Sequence, residues 1–383
     1  MFSRRFLLLF LAATLAGGTS LAQTKKTIKI GAIYPMTGSA SFLGIPEDKA
    51  LRMKVEEINK AGGVNGHKLE VITYDTDGNG TKAVQQLRRL IESDKVDVVF
   101  GPSTSGEALQ TIELVNEARV PQIAHGGTEK LVNPTTKYVF NSVPTDRVAI
   151  SHVLSWFKQK GYKTIAFMSS ADGYGQSGKN VLESLLAEYG MKIATAEEFN
   201  RQDADMTAQV LRARQSNADV MLVWSALPAP TIIARNAHAV GYNKPIVVGY
   251  GAASNDLVEK AGPAAEGLYI SSFRLLAPGS LSEKDPVRPV TMKLFADYHA
   301  LYREAPANFA QHSHDAVLIL EQAIKKVKGP VTRDSLRDAI EQVEVVGANG
   351  RFRFSSKDHG GLDSSSSPLV MLRYVQGKWT VAP

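Results

Sequence analysis

The sequence predicts an α/β fold made of two units, each built around a parallel sheet. Three observations support this class. Predicted strands and helices alternate from residue 27 to residue 131, and a second alternating series runs from residue 146 to residue 249. The length of 383 residues suits two domains that each enclose a core. Alternation at this spacing is typical of parallel strands joined by right-handed crossovers.

The first series contains four predicted strands with amphipathic helices between them. Apolar or alternating runs predict the strands, and apolar residues along one face of a polar stretch predict the helices. The strands are 27–34, 67–74, 96–100 and 120–124, and the first two helices are 45–61 and 81–92. Another helix is expected after Gly106.

The second series is similar in size, and a helical region follows it. Its strands are 163–168, 191–199, 219–224 and 245–249, and its helices are 146–160, 174–189, 206–215 and 228–240. Between residues 286 and 340 the pattern changes to helices at 290–302, 308–328 and 332–341. Strand-like pieces at 350–354, 369–375 and 379–381 close the chain, and Ser364–Ser367 is predicted to be a flexible connection.

Residues 1–22 are predicted to be a cleavable signal peptide. Arg4 and Arg5 form a charged start, residues 6–16 form an apolar run, and cleavage is expected after Ala22. A membrane anchor needs about 20 apolar residues, and this run stops earlier, at Gly17. The mature protein is therefore expected to be exported and soluble in the periplasm. The paired arginines leave open whether export uses the general or the twin-arginine route.

Composition excludes several classes of function. The chain has no cysteine, which excludes disulfides, thiolate chemistry and a lipid-modified N-terminal cysteine. Lys and Arg number 44 against 38 Asp and Glu, and two arginines lie in the signal peptide, so the mature surplus is four (42 minus 38). These charges form no basic block, so no nucleic-acid partner is expected.

A turn of small, polar residues follows each of the last two strands of the first series. The hydroxyl side chains in these turns are those of Ser103, Thr104, Ser105 and Thr128. In an open parallel sheet, loops at the carboxyl ends of neighbouring strands face one crevice, where ligands bind. Helix N-termini behind such loops add positive partial charge. These turns therefore predict a site for a small anion, most simply a carboxylate.

Two segments partly match catalytic motifs, but in each case a feature that the chemistry requires is missing. Residues 101–107 nearly match a phosphate-binding loop, but Glu107 stands where the lysine is required and would repel a triphosphate. The segment His125-Gly126-Gly127 resembles the oxyanion segment of some esterases. A serine hydrolase would also need a Gly-x-Ser-x-Gly turn, and the sequence has none. We therefore expect neither an enzyme nor a cofactor, and interpret His125 as a wall residue.

Two segments contain residue types that bind metal ions. Residues 75–80 match the first half of a calcium loop, but the twelfth position is Gln86 rather than glutamate and a strand precedes the loop. An ordinary polar turn is the favoured interpretation, with calcium left open. His312 and His314 are two apart in a predicted helix, so their side chains diverge and cannot share an ion. No metal site is predicted.

Aromatic residues at or near predicted strand ends are the remaining signal. They are Phe42, Tyr174, Trp224, Tyr250 and Phe273. If several face one crevice, they would form an apolar wall over a polar floor, which is the usual composition of a ligand pocket.

The order of segments resembles the leucine/isoleucine/valine-binding proteins, the type I periplasmic solute receptors of ABC importers. The resemblance covers nearly all of the mature chain. Its most specific part is EINKAGGVNGHKLEVITYDTDG. The other matching segments are KIGAIYPMTGSASFLG, VVFGPSTSGEAL, VPQIAHGGTEKL, SSADGYGQSG and LVMLRYVQGKW.

The resemblance implies two Rossmann-like lobes with parallel central sheets, joined by a three-crossover hinge and closing on a ligand. Crossovers would lie near Ser142, near Phe273 and in Ser364–Ser367. The N-terminal lobe would comprise residues 23–143 and 274–362, and the C-terminal lobe residues 144–273 and 363–383. The family also implies a monomer that delivers its ligand to an ABC permease in the inner membrane.

Binding residues of the family carry over where the motifs match. In the family, the ligand α-carboxylate is held by the loops that here contain Ser103, Thr104 and Ser105, and Gly126, Gly127 and Thr128. Tyr174 matches a tyrosine that closes over the ligand. Phe42 stands where an aromatic residue flanks the side-chain pocket, and Trp224 lies close to another.

One departure from the family bears on the ligand. Amino-acid binders of this family carry an acidic residue after the strand that here ends at Gly249, where it pairs with the ligand ammonium. This chain reads Gly249-Tyr250-Gly251-Ala252 instead. A buried ammonium without a partner would cost several kcal/mol. The sequence therefore favours a hydrophobic or aromatic carboxylate such as a 2-keto acid, with Tyr250 and Gly251 among its contacts. A branched-chain or other hydrophobic amino acid, and a sensor that reports a ligand to a signalling partner, stay open.

Overall fold

The computed structural model of the protein describes residues 27–363 and 368–382. The predicted signal peptide and the predicted connection Ser364–Ser367 lie outside these residues. In the described part of the chain, no helix combines the length and the apolar character needed to cross a membrane.

The first lobe is built around a parallel sheet from the N-terminal part of the chain. Its strands are β1 Ile28–Tyr34, β2 Leu69–Asp75, β3 Val98–Phe100, β4 Gln122–Ala124 and β5 Val139–Asn141, with helices α1 Ser41–Lys60, α2 Gly80–Glu92 and α3 Ser105–Glu117 between them. Among the described residues the strand order is β2-β1-β3-β4-β5, and every pairing is parallel. The turns after β1, β3 and β4 therefore open at the same edge of the sheet.

The second lobe repeats this plan after β5. Its helices are α4 Asp146–Gln159, α5 Gly173–Tyr189, α6 Thr207–Gln215, α7 Ala229–Ala239 and α8 Asn255–Ala261. The strands between them are β6 Thr164–Ser170, β7 Lys192–Phe199, β8 Val220–Trp224, β9 Ile246–Val248 and β10 Tyr269–Ser272. These five strands pair in parallel in the order β10-β9-β8-β6-β7.

The last part of the chain contributes to both lobes. Helices α9 Arg288–Tyr302, α10 Ala310–Lys326 and α11 Arg333–Ile340 are followed by β11 Glu344–Val346, β12 Arg351–Arg353, β13 Val370–Val375 and β14 Lys378–Val381. Helix α10 packs along α1, and its Ile319 and Leu320 share one core with Phe100 and Ile123 of the first sheet. Strands β13 and β14 extend the second sheet beyond β10 in antiparallel orientation.

The chain consequently passes between the two sheets after β5, after β10 and between β12 and β13. The α/β class and the two lobes with parallel sheets predicted from the sequence are confirmed. The lobe bounds 23–143 plus 274–362 and 144–273 plus 363–383 remain our proposed division. The antiparallel pairing of β13 and β14 and the elements β5, α8, β10 and β11 were not expected from the sequence. Three of these four elements are strands of only three or four residues, too short to show alternation.

Candidate functional site

A cavity of about 200 Å³ lies between the two lobes, and we call it the interlobe cavity. Turns after β3 and β4 and the beginnings of α1 and α10 form its first-lobe side, and the beginning of α5 and the loops after β7, β8 and β9 form its second-lobe side. This volume is below the roughly 300–1,000 Å³ of pockets for drug-sized ligands. The interlobe cavity therefore suits a compact small molecule.

Most of the predicted binding residues line the interlobe cavity. They are Ser103, Thr104, Ser105, Gly127, Tyr174, Tyr250 and Gly251. Phe42, Gly126, Thr128 and Trp224 are not among the lining residues and lie behind them. The ring of Phe42 contacts that of Phe309, which does line the cavity, with centroids 5.4 Å apart. The ligand contacts assigned to all these residues stay predictions.

The hydroxyl groups of the first-lobe turns differ in their hydrogen bonds. Ser103 donates to the carboxylate of Glu47, and Thr104 Oγ1 donates to Glu107 Oε2 at 2.6 Å. Ser105 Oγ accepts from the N–H of Thr128 at 3.2 Å, so its own hydrogen stays available as a donor. The first N–H groups of α3 have no intrahelical acceptor. Donors for an anion therefore converge at the N-terminus of α3.

The second-lobe side is aromatic, and its rings support one another. Tyr174 stacks on Trp224 with centroids 5.6 Å apart, and Tyr250 contacts both rings edge-on. The Tyr174 hydroxyl accepts from the N–H of Gly251 at 3.2 Å. Trp224 can lie directly against α5 because Gly178 has no side chain, and a Cβ there would be 2.1 Å from Trp224 Cδ1. Trp224 therefore packs behind the Tyr174 ring and supports the aromatic side of the interlobe cavity.

The two lobes touch each other around the interlobe cavity. The Tyr250 hydroxyl lies so close to Gly127 that a Cβ on Gly127 would be 1.9 Å from its oxygen. Gln202 Nε2 donates to Ser39 Oγ at 2.7 Å across the opening. This arrangement is the one in which a ligand would be enclosed.

Three charged residues that the sequence analysis did not assign to binding line the interlobe cavity. Within the described chain they are Glu107, Asp172 and Arg201, apart from two histidines. Arg201 Nη1 lies 3.6 Å from Asp172 Oδ2. Burial raises the pKa of Glu107, although hydrogen bonds from Thr104 and Thr76 act in the opposite direction. Arg201 follows strand β7, at the carboxyl end of the second sheet. Because ligands bind at this end of a parallel sheet, its position in the sequence could have marked it as a candidate.

A buried polar cluster forms part of the first-lobe wall. Glu47 Oε1 lies 3.0 Å from His312 Nδ1 and 3.2 Å from His125 Nδ1, which is not aligned for a hydrogen bond. Burial raises the pKa of Glu47 and lowers the pKa of His125 to about 3. Burial lowers the pKa of His312 as well, so the uncharged form is favoured for both imidazoles. Nothing in the local sequence pattern links Glu47 to His125 or His312.

The two segments considered for metals have other partners. Asp75 accepts hydrogen bonds from the backbone N–H groups of Met36, Thr37 and Asp77 and a salt bridge from Lys82. Because the Asp75 carboxylate is already bound by these groups, the interpretation of residues 75–80 as a polar turn is favoured. His314 Nδ1 pairs with Asp315 Oδ1 at 2.9 Å, whereas His312 Nδ1 contacts Glu47.

The fold and the interlobe cavity define a two-lobed solute receptor, and the comparisons with known proteins agree. The sequence model described as "Periplasmic binding protein" matches residues 27–369. The chain belongs to this family, so the resemblance inferred from the sequence is confirmed.

Relatives extend this result over nearly the whole chain. "Leu/Ile/Val-binding protein homolog 7" of Brucella suis is 24% identical, with 98% of this chain and 95% of that protein covered. The crystal structure of an extracellular ligand-binding receptor from Rhodopseudomonas palustris HaA2 is 25% identical, covers 93% of this chain and 99% of its own, and has a TM-score of 0.85. A solute-binding protein of an ABC transporter from Rhodopseudomonas palustris BisB5, in complex with 3,4-dihydroxybenzoic acid, is 22% identical over 92% of this chain and 95% of its own, with a TM-score of 0.77. These relatives are named as binding proteins and receptors, not as enzymes.

Proposed function

We propose that this protein is an exported, monomeric periplasmic receptor that binds a small hydrophobic or aromatic carboxylate between its lobes and delivers it to an ABC permease in the inner membrane. The observation that carries the proposal is the interlobe cavity, which has hydrogen-bond donors on its first-lobe side and aromatic rings on its second-lobe side. Its size and mixed lining are those of a small-molecule site.

The carboxylate would bind at the N-terminus of α3. Ser105 Oγ and the first N–H groups of α3 supply donors, and the helix end adds positive partial charge. Arg201 on the opposite lobe lies at the same cavity and can add a charge-assisted hydrogen bond. Because these groups come from both lobes, a carboxylate held between them would favour the closed form.

The rest of the ligand would lie against apolar side chains. Tyr174 and Tyr250 provide ring faces and edges on the second lobe, and Leu43 and Phe309 provide apolar surface on the first. Burial of a compact aromatic or branched group here contributes about 25 cal/mol per Å² of apolar surface. This composition supports a hydrophobic ligand over a sugar.

The loop after β9 supports a ligand without an amine. Tyr250–Ala252 form a short 3₁₀ turn that carries no carboxylate. The two lining carboxylates have other partners, since Asp172 pairs with Arg201 and Glu107 Oε2 accepts from Thr104. An aromatic or branched 2-keto acid fits this distribution, and the dihydroxybenzoate bound by the Rhodopseudomonas relative belongs to the same chemical class of aromatic carboxylates.

One observation favours a hydrophobic amino acid as a second candidate. Glu107 lines the interlobe cavity, so its carboxylate could pair with a ligand ammonium. The naming of the Brucella relative as a Leu/Ile/Val-binding protein homologue agrees with this candidate.

Isothermal titration calorimetry with matched pairs of acids tests both candidates. We expect 2-keto acids or aromatic acids to bind at least tenfold more tightly than amino acids with the same side chain. Ser105→Ala should weaken the carboxylate by roughly 10- to 100-fold, because a hydrogen bond to a charged group contributes about 1.5–3 kcal/mol. Ser184→Ala is the control, since its hydroxyl bonds to Val181 of its own helix.

Two results would change the conclusion. Tighter binding of the amino acids, together with its loss in Glu107→Gln, would establish the second candidate. Failure of every acid in the panel to bind more tightly than millimolar would refute both.

A further inference from the structure

We propose that Glu47, His125 and His312 form a binding site for one divalent transition-metal ion of zinc-like preference, in the first-lobe wall of the interlobe cavity. This inference goes beyond the proposed function, because the three donors belong to the first lobe and do not require a carboxylate ligand to be present.

The spacing of the donor atoms suits a compact tetrahedral site. Glu47 Oε1 lies 3.0 Å from His312 Nδ1 and 3.2 Å from His125 Nδ1. One donor atom from each residue can be chosen so that all three lie within 4.8 Å of one another. Zinc bonds of about 2.0–2.2 Å in a tetrahedron imply donor separations of about 3.3–3.6 Å. Small movements of two rings would therefore complete the geometry.

The imidazoles carry buried nitrogens that the protein does not satisfy. His125 is 3% exposed, and neither of its ring nitrogens has a hydrogen-bond partner. His312 is equally buried, and its Nε2 also has none. Such groups are rare in folded proteins and call for an explanation such as a bound ion. A metal ion would use the lone pairs of neutral imidazoles directly.

The charge of the cluster also favours a cation. Glu47 is fully buried, and within the described chain its ion-pair partners are the two histidines. A divalent ion bound at this position would provide Glu47 with the opposite charge that a buried carboxylate requires.

The donor set indicates which ions fit. Two imidazole nitrogens and one carboxylate oxygen form a set that zinc uses where a fourth position stays open. Calcium and magnesium are disfavoured because they need more oxygen ligands. His125 and His312 line the interlobe cavity, so water or an oxygen of an enclosed ligand could occupy the fourth position.

The surroundings hold the donors in place. Glu47 lies in α1, His125 follows β4, and His312 lies in α10, so three separate elements fix the site. Ser103 donates to the second oxygen of Glu47, and Tyr34 stacks on His125 with centroids 5.6 Å apart. Groups of this kind around metal ligands orient them and raise metal affinity.

Metal titration of chelator-treated protein, without any organic ligand, tests the site. We expect one zinc ion to bind per chain at micromolar or lower dissociation constant by calorimetry. Cobalt should give the visible absorption of a tetrahedral centre, which zinc then removes. Glu47→Gln, His125→Asn and His312→Asn should each weaken binding at least tenfold. His314→Asn, two residues along α10, and the exposed His299→Asn should leave it unchanged.

Several outcomes would overturn the inference. These are no saturable binding tighter than about millimolar, binding that the three variants leave intact, or binding that His299→Asn removes. If the variants do not fold by circular dichroism, anomalous diffraction from zinc-soaked wild-type crystals decides, because a peak elsewhere or none at these donors refutes the site. A failure here would leave carboxylate binding by the same protein intact, so the two proposals can be separated.

Discussion

Asp146 is the first residue of α4, and its side-chain carboxyl group is enclosed between the lobes. Its Oδ1 accepts from Trp224 Nε1 at 3.2 Å, and its Oδ2 is buried. Its backbone N–H donates to Gly127 O at 2.7 Å. Burial raises the pKa of Asp146 to about 8, although hydrogen bonds from Ser177 and Trp224 act in the opposite direction. Asp146 therefore connects the aromatic wall to the first-lobe turn in its uncharged form.

The raised pKa predicts a pH-dependent stability. The ordinary value is 3.8, so folding takes up a proton between about pH 4 and pH 8. The stabilisation is complete below about pH 4 and is lost as the pH rises to about 8. Asp146→Asn keeps the acceptor for Trp224 but cannot titrate. The free energy of unfolding of this variant should therefore fall less steeply as the pH rises. The slope should differ from that of the wild-type protein by up to about 1.4 kcal/mol per pH unit.

Urea unfolding of the wild-type protein and Asp146→Asn across this pH range measures the effect. Equal slopes for the two proteins would mean that Asp146 is ionised in the folded state.

Sequence patterns located the turns of the site but not their partners. Ser103 and Tyr174 could be found because Ser103 lies between a strand and a helix and Tyr174 lies in the first turn of a helix that follows a strand, and both positions are visible in the local sequence. Glu47 could not be found in this way. It lies on the buried face of α1 among apolar residues, and its pairing with His312 joins residues 265 positions apart. Only the packing of α10 on α1 brings them together.

At the scale of elements, helix α5 shows how one residue sets both a helix end and a cavity wall. Asp172 caps the helix by accepting from the N–H groups of Tyr174 and Gly175 at 3.1 and 3.0 Å. Its other oxygen faces Arg201. The cap fixes where α5 starts and thereby places the Tyr174 ring over the interlobe cavity.

Substitutions at Asp172 separate the cap from the ion pair. Asp172→Ala should lower the free energy of unfolding by about 1 kcal/mol, because N-cap losses cost about 0.5–2 kcal/mol. Asp172→Asn should retain most of this stability, because asparagine caps as well as aspartate. Urea unfolding gives both values. If Asp172→Asn is as damaging as Asp172→Ala, the ion pair with Arg201 rather than the cap carries the stability.

The elements that could be predicted from the sequence are those long enough to show a period in their apolar residues. Helix α5 was expected over 174–189 and spans Gly173–Tyr189, since more than four turns show a clear apolar face. Strands β5 and β11 have three residues each, and no period can be read in so few. The antiparallel direction of β13 depends on which sheet it joins, which is a long-range property.

At the scale of the whole molecule, closure depends on contacts between small and large residues on opposite lobes. Gly127 faces Tyr250 so closely that only hydrogen fits between them. The Tyr250 hydroxyl also donates to Pro144 O at 3.0 Å, in the segment that connects the lobes. The closed arrangement therefore requires glycine at position 127.

Gly127→Ala is expected to impair closure and to leave each lobe folded. Its methyl carbon would lie 1.9 Å from the Tyr250 oxygen, so the lobes must separate or Tyr250 must move. We expect at least tenfold weaker ligand binding by calorimetry and a larger radius of gyration by small-angle scattering at saturating ligand. Thermal stability without ligand should change little. Gly279→Ala, where no atom lies within 4 Å of the added carbon, serves as control, and unchanged affinity in Gly127→Ala would contradict this account.

The assembly of the first lobe from both ends of the chain has a consequence for the order of folding. The buried hydrogen bond between Tyr34 and Ser313 joins residues 279 positions apart, at 2.7 Å, and α10 covers the apolar face of the first sheet. When synthesis has reached residue 286, every strand of the first sheet has been made, but α10, which covers the apolar face of this sheet, has not. The strands β6 to β10 of the second sheet, in contrast, lie within one continuous stretch. Contacts of such long range slow folding, so the second lobe should acquire protection from hydrogen exchange before the first, and the first only after α10 has been synthesised.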